Sequence, residues 1–157
     1  MRILASLLFS LCLVSCAPTH ARVVSVIDGD TYVVRLQNGD QENVRVIGID
    51  TPETVDPRKP VGCYGPEASA EAKHLLADKD VTLTSKADEN RDKYHRLLRY
   101  VSLAGQDVGA FLIRQGFARA YDYFPHPRLH QYDALQAQAK AEGKGLWGVC
   151  GRGREKS

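Results

Sequence analysis

Two dipeptides limit the folding choices of this chain more than any other feature: Asp28-Gly29 and Asn38-Gly39, each set between runs of β character. Such pairs supply the positive φ angles that tight hairpins require. Arg22 to Ile27, Thr31 to Leu36 and Gln41 to Ile49 are therefore expected to form an antiparallel meander. The third run continues as Val44-Arg45-Val46-Ile47-Gly48-Ile49-Asp50-Thr51-Pro52-Glu53, so a strand empties directly into two carboxylates, a threonine and a proline. Pro52, Pro57 and Pro60 bar regular structure beyond it and mark Thr51 to Cys63 as a loop.

The remainder alternates between helix and strand patterns. Pro66 and Glu67 suit the first turn of a helix whose apolar side is Ala68, Ala72, Leu75 and Leu76. Asp80 to Ser85 and Leu97 to Leu103 have strand character. Asp107 can cap a helix over Val108 to Gln115, and a third helix is expected from Leu129 to Glu142. Five short strands with helices between and after them predict an α+β, mainly β, fold: a five-stranded OB-type β-barrel with three helices. With 43% hydrophobic and 25% charged residues the composition is that of an ordinary globular protein, and a formal net charge of +2 excludes a strongly basic polycation. Any contact with nucleic acid then depends on where individual Lys and Arg residues sit.

The N-terminus follows different rules. Arg2 supplies a positive n-region and Ile3 to Val14 an apolar stretch too short to span a bilayer, so residues 1–15 read as an export signal. Leu13-Val14-Ser15-Cys16 resembles the bacterial lipoprotein signal, which implies lipidation of Cys16, a membrane anchor in the bacterial cell envelope and a linker over 16–21. The competing reading is ordinary cleavage after Thr19-His20-Ala21, which would leave a soluble exported or periplasmic protein. Cys12 leaves with the signal in either case. If Cys16 takes the lipid, Cys63 and Cys150 remain in an oxidising setting, where a disulfide between them is favoured over two free thiols. The domain is thus expected over 22–150, with a disordered polar tail over 151–157.

Asp30, Asp50 and Glu53 each lie at or just past a strand end, and if the first and third strands are neighbours the three carboxylates converge. A hard dication such as Ca²⁺ would relieve their repulsion, while the lack of suitably spaced His and Cys argues against zinc. Taken singly, Asp28-Gly29-Asp30 reads as a hairpin turn and Asp50-Thr51-Pro52 as a strand stop. Arg45 precedes Asp50 by an odd number of residues, so an ideal strand points the two to opposite faces unless a bulge intervenes. Arg96 lies in a basic segment, Arg91 to Arg99, whose usual meaning is a solvated face.

These motifs, in their order, resemble the staphylococcal nuclease-like thermonuclease family: Ile27-Asp28-Gly29-Asp30-Thr31, Arg45 with Asp50-Thr51-Pro52-Glu53, Tyr64-Gly65-Pro66-Glu67, Asp92-Lys93-Tyr94-His95-Arg96, Arg114-Gln115-Gly116-Phe117-Ala118, and Glu142-Gly143-Lys144-Gly145-Leu146-Trp147. The resemblance implies Ca²⁺-dependent cleavage of DNA and RNA by a monomer. It implies Asp30 and Asp50 as metal ligands through their side chains and Thr51 through its carbonyl. Arg45 and Arg96 would grip the phosphate, with Glu53 as general base. Lys93, Tyr94, Tyr121 and Tyr123 would bind substrate. Arg58 and Lys59 in the proline-rich loop read as solvated. The alternative from another class is a catalytically silent OB module that binds nucleic acid or protein; it would be expected to have lost some of these carboxylates or arginines.

Overall fold

The computed structural model describes residues 18–86 and 90–150. The export signal over 1–15, the lipidation site Cys16 and the tail over 151–157 lie outside the described residues. Among the described residues no helix is long and apolar enough to cross a membrane.

Three strands form the expected meander: β1 (Thr19–Asp28), β2 (Thr31–Leu36) and β3 (Gln41–Val46), paired antiparallel. β1 begins earlier than expected. Thr19 to Ala21, taken from sequence as linker, pair with β5 (Asp80–Thr84), because the strand is long enough to serve two partners. Its register slips between Val23 and Ser25. Val24 and Ser25 are both exposed there, and the slip resets the alternation so that Val23 and Val26 both enter the core. β5 pairs with β6 (Leu97–Leu103), and β6 lies parallel to β3, with Arg45 opposite Leu98. That last pairing closes the five strands into the expected OB-type barrel. Val23, Val34, Val44, Leu83 and Val101 fill it, each almost fully buried.

α1 (Gly65–Leu76) follows the loop, has Pro66 in its first turn and buries Ala68, Ala72 and Leu76 along one stripe. The two-residue β7 (Gln106–Asp107) leads into α2 (Val108–Arg114), capped by Asp107, which accepts from Ala110 N–H at 3.1 Å. α3 (Leu129–Ala141) packs on α2. Tyr132 from α3 donates to Asp107 at 2.9 Å and Arg128 pairs with the same carboxylate at 2.7 Å. Beyond the three expected helices, one short turn, α4 (Leu146–Val149), ends the described chain. Its Cys150 is joined to Cys63 by a disulfide with Cα atoms 5.9 Å apart, spanning 87 residues. In chain-entropy terms a loop of that length contributes about 4 to 5 kcal/mol.

The run expected as one strand from Gln41 to Ile49 breaks in two. β3 stops at Val46, Gly48 adopts φ +76, and β4 (Ile49–Asp50) pairs instead with β8 (Arg119–Ala120). Gly48 is required twice over: for the positive φ, and because a Cβ would run into the His126 ring. His126 is held there by Tyr100, 3.0 Å away at Nδ1, and by the tilted ring of Tyr132. Burial pushes the His126 imidazole below its ordinary value of 6.5.

Gly48→Ala is expected to cost about 2 kcal/mol or more in urea melts. Adding His126→Ala should recover only the part due to the ring clash. Because the native state resists protonating His126, its contribution is present above about pH 6.5 and is lost as pH falls through its depressed native value. Stability relative to His126→Gln should accordingly shrink as pH is lowered through that window. A constant difference would place the shift elsewhere.

Candidate active site

The site grows from one buried carboxylate. Asp30 leaves the β1–β2 turn, and its Oδ2 accepts from both Thr51 N–H at 3.0 Å and Thr51 Oγ1–H at 3.1 Å, fastening the end of β4 to the turn. Its Oδ1 accepts from Thr31 Oγ1–H at 2.9 Å. Arg45 completes the set with Nη2 3.3 Å from Asp30 and 3.6 Å from Asp50.

Odd spacing along an ideal strand would have pointed Arg45 away from Asp50. The turn at Ile47-Gly48 removes that conflict. Arg45 Nη1 donates to the carbonyls of Val46 and Ile49 at 2.7 and 2.8 Å, so the guanidinium ties together the two sides of the kink it depends on. The bulge needed to reset the facing is this glycine turn.

Arg96 stands one residue before β6, and the parallel pairing of β6 with β3 brings it to the same end of the barrel as Arg45. Asp92 orients it: Nε and Nη2 each lie 2.7 Å from Oδ2, while Oδ1 accepts from the backbone N–H of Tyr94 and Arg96. Burial alone would raise the Asp92 pKa, but these hydrogen bonds outweigh it and hold the carboxyl below its ordinary value. Arg96 Nη1 also donates to Thr31 Oγ1 at 3.3 Å. Thr31 therefore links the two arginines through Asp30, accepting a hydrogen bond from Arg96 on one side and donating its own to Asp30 on the other. Lys93 and Arg96 lie 5.1 and 5.4 Å from the centroid of the Tyr94 ring.

The three carboxylates do not converge as expected. Asp30 and Asp50 are brought together through Arg45, and burial, then the charge of Asp30, push the Asp50 pKa up against the opposing pull of Arg45. Glu53 turns to its own loop, where Oε1 accepts from the N–H groups of Thr54, Val55 and Asp56 at 2.9 to 3.1 Å. The bond from Val55 leads in holding it below its ordinary range. Among the described residues no three His, Cys, Asp or Glu side chains are poised around a metal ion. The donors that Asp30, Asp50 and the Thr51 carbonyl offer are nonetheless all hard oxygens. Two carboxylates with backbone carbonyl and water suit a hard dication of the Ca²⁺ or Mg²⁺ type.

A groove of about 580 Å³ opens over these groups. Of the residues singled out from sequence, Arg45, Asp50, Lys93, Tyr94, Arg96, Tyr121 and Tyr123 line it, whereas Asp30, Thr51 and Glu53 do not. Its wall carries five Lys or Arg and two Asp, a net positive field. Arg58 is exposed and folds back onto Asp56 at 2.9 Å, in keeping with a solvated loop. Three contributors were missed from sequence: Thr31, Asp92 and His126. The first two sit inside the motifs that carried the resemblance, but pattern gives no sign that they hold arginines. His126 has no sequence signal at all.

A family profile described as "Staphylococcal nuclease homologue" matches residues 43–149. The chain is 41% identical over 127 residues to the thermonuclease of Staphylococcus hyicus, covering 80% of this chain and 74% of that one. It is 38% identical over 127 residues to endonuclease YncB of Bacillus subtilis, covering 80% and 60%. It is 36% identical over 136 residues to an uncharacterized endonuclease of Escherichia coli O157:H7, covering 85% and 80%. Because the profile matches more than half of the chain and the thermonuclease of Staphylococcus hyicus is 41% identical with 74% of its length covered, the chain belongs to the staphylococcal nuclease family.

Proposed function

We propose that this protein is a Ca²⁺-dependent, sugar-nonspecific endonuclease that hydrolyses phosphodiester bonds of DNA and RNA as a monomer, and that it is exported and held to the cell envelope by a lipid on Cys16. The observation that carries the catalytic reading is the Thr31–Asp30 link, which fixes two guanidiniums at one end of a positive groove rimmed by exposed tyrosines. Homologues named thermonuclease and endonuclease support it.

A phosphodiester is an anion that repels an incoming hydroxide, and its transition state carries more charge still. Arg45 and Arg96 answer both difficulties, because a planar guanidinium fork bonds two phosphate oxygens at once. Asp92 and Asp30 hold the forks in place before substrate arrives, which lowers the reorganisation needed at the moment of reaction. Asp30, Asp50 and the Thr51 carbonyl would hold the Ca²⁺, which when bound supplies further charge stabilisation at the phosphate. Glu53, kept ionised by its loop N–H groups, is the group to orient or deprotonate the attacking water. Water oxygen adds to phosphorus as its proton passes to Glu53, the ester P–O bond breaks, and the departing oxygen takes up a proton from solvent. Tyr94, Tyr121 and Tyr123, 64%, 37% and 76% exposed, offer ring faces to bases, with Lys93 beside the first, and such contacts read neither sugar nor sequence.

Export is supported by the signal anatomy and by the Cys63–Cys150 disulfide, a bond at home in oxidising compartments. Cleavage of single-stranded DNA and of RNA should require Ca²⁺ and cease with chelator. Glu53→Gln and Arg96→Ala should each lose roughly 10³-fold or more in kcat with unchanged circular dichroism. Full activity in both variants would sink the assignment. Palmitate labelling in a bacterial host should be lost in Cys16→Ser; persistence of the label would remove the anchor.

A further inference from the structure

Beyond the tyrosines, the groove wall carries an aromatic ring with no role in the site described so far. Phe124 is 55% exposed. Its ring has no polar atom to reward contact with water, and burying a phenyl is ordinarily worth about 1.5 to 3 kcal/mol. The chain leaves it on the groove wall all the same.

Local structure holds it there. Pro125 restricts Phe124 to extended backbone, and Lys86 Nζ donates to the Pro125 carbonyl at 3.3 Å, pinning the turn to the end of β5. The ring meets Tyr123 edge to face, with centroids 5.0 Å apart at 86°, and Tyr121 at 6.2 Å and 52°. Tilted contacts of this kind fix a ring without stacking a neighbour across it, so the three rings form a continuous aromatic shelf. The shelf shares one groove with Arg45 and Arg96 at its other side, and Lys86 adds a cation beside Phe124.

Resting on the nuclease reading above, we infer that Phe124 forms an additional stacking subsite, which takes the base of a nucleotide further along the strand than those at the cut. The substrate class this selects is an oligonucleotide long enough to reach the shelf with an unpaired base, rather than a dinucleotide. Stacking is indifferent to base identity, so the subsite measures length and openness of the strand.

The test is binding of fluorescently labelled oligothymidylates of increasing length, from a dinucleotide to an octanucleotide, to the folded chain in chelator, where catalysis does not intervene. The parent should show one step of about tenfold in Kd when the added nucleotide reaches Phe124. Phe124→Ala and Phe124→Leu should flatten that step, and Phe124→Trp should keep it. Phe124→Leu retains apolar bulk, so a loss there reports stacking and not collapse of the turn; melting curves confirm that each variant is folded. A step that survives in Phe124→Ala, or a loss equal at every length, overturns the subsite. Absence of any cleavage of long substrates in Ca²⁺ overturns the nuclease reading instead, and the length step in Kd is read independently of it.

Discussion

A carboxylate taken out of water must be met by donors or it destabilises the fold that buries it, and Asp30 meets this requirement by recruiting the whole site. Its partners come from three places in the chain: Thr31 beside it, Arg45 on β3 and Thr51 at the end of β4. Each satisfies Asp30 and is in turn fixed by it. Asp28 ties the same turn to the loop through Thr54 Oγ1–H, which donates to it at 2.8 Å, and Asp30 adds the kink and Arg45 to that meeting point. Structure and chemistry are here the same contact.

The barrel supplies the second arginine by a different route. Arg45 is reached through the kink at Gly48, Arg96 through the parallel contact of β3 with β6 and a tight turn built on Asp92. Thr31 is the small hinge between the halves, since a hydroxyl can donate to a carboxylate and accept from a guanidinium together. No charged side chain could do both.

Much of this was legible in the residues. The two Gly-containing turns announced the meander, the spacing of Ala68, Ala72 and Leu76 announced α1, and the ordered motifs announced the family. What escaped were features decided by distant neighbours. A bulge between Arg45 and Asp50 stayed an open alternative, because the reason for the break at Gly48 is the His126 ring, far along the chain. Thr19 to Ala21 looked like linker because their partner strand, β5, is remote. Glu53 is a local case: sequence grouped it with Asp30 and Asp50, and the backbone of its own loop offers it three N–H groups. Arg45, the point that strand parity left open, was settled by a turn that strand parity cannot describe.

The parallel contact between β3 and β6 has a further meaning in time. Every other neighbour in the barrel is antiparallel, and β1 with β2 and β2 with β3 are joined by short turns, whereas residues 44–46 must find 97–99 across a long stretch containing a loop, a helix and a strand. Contacts of that range form against a larger loss of chain freedom than local ones. Arg45 and Arg96 belong to the two sides of that seam. A partly folded chain with its meander and helices in place therefore still has these two arginines apart, and the proposed site is assembled only when the barrel shuts.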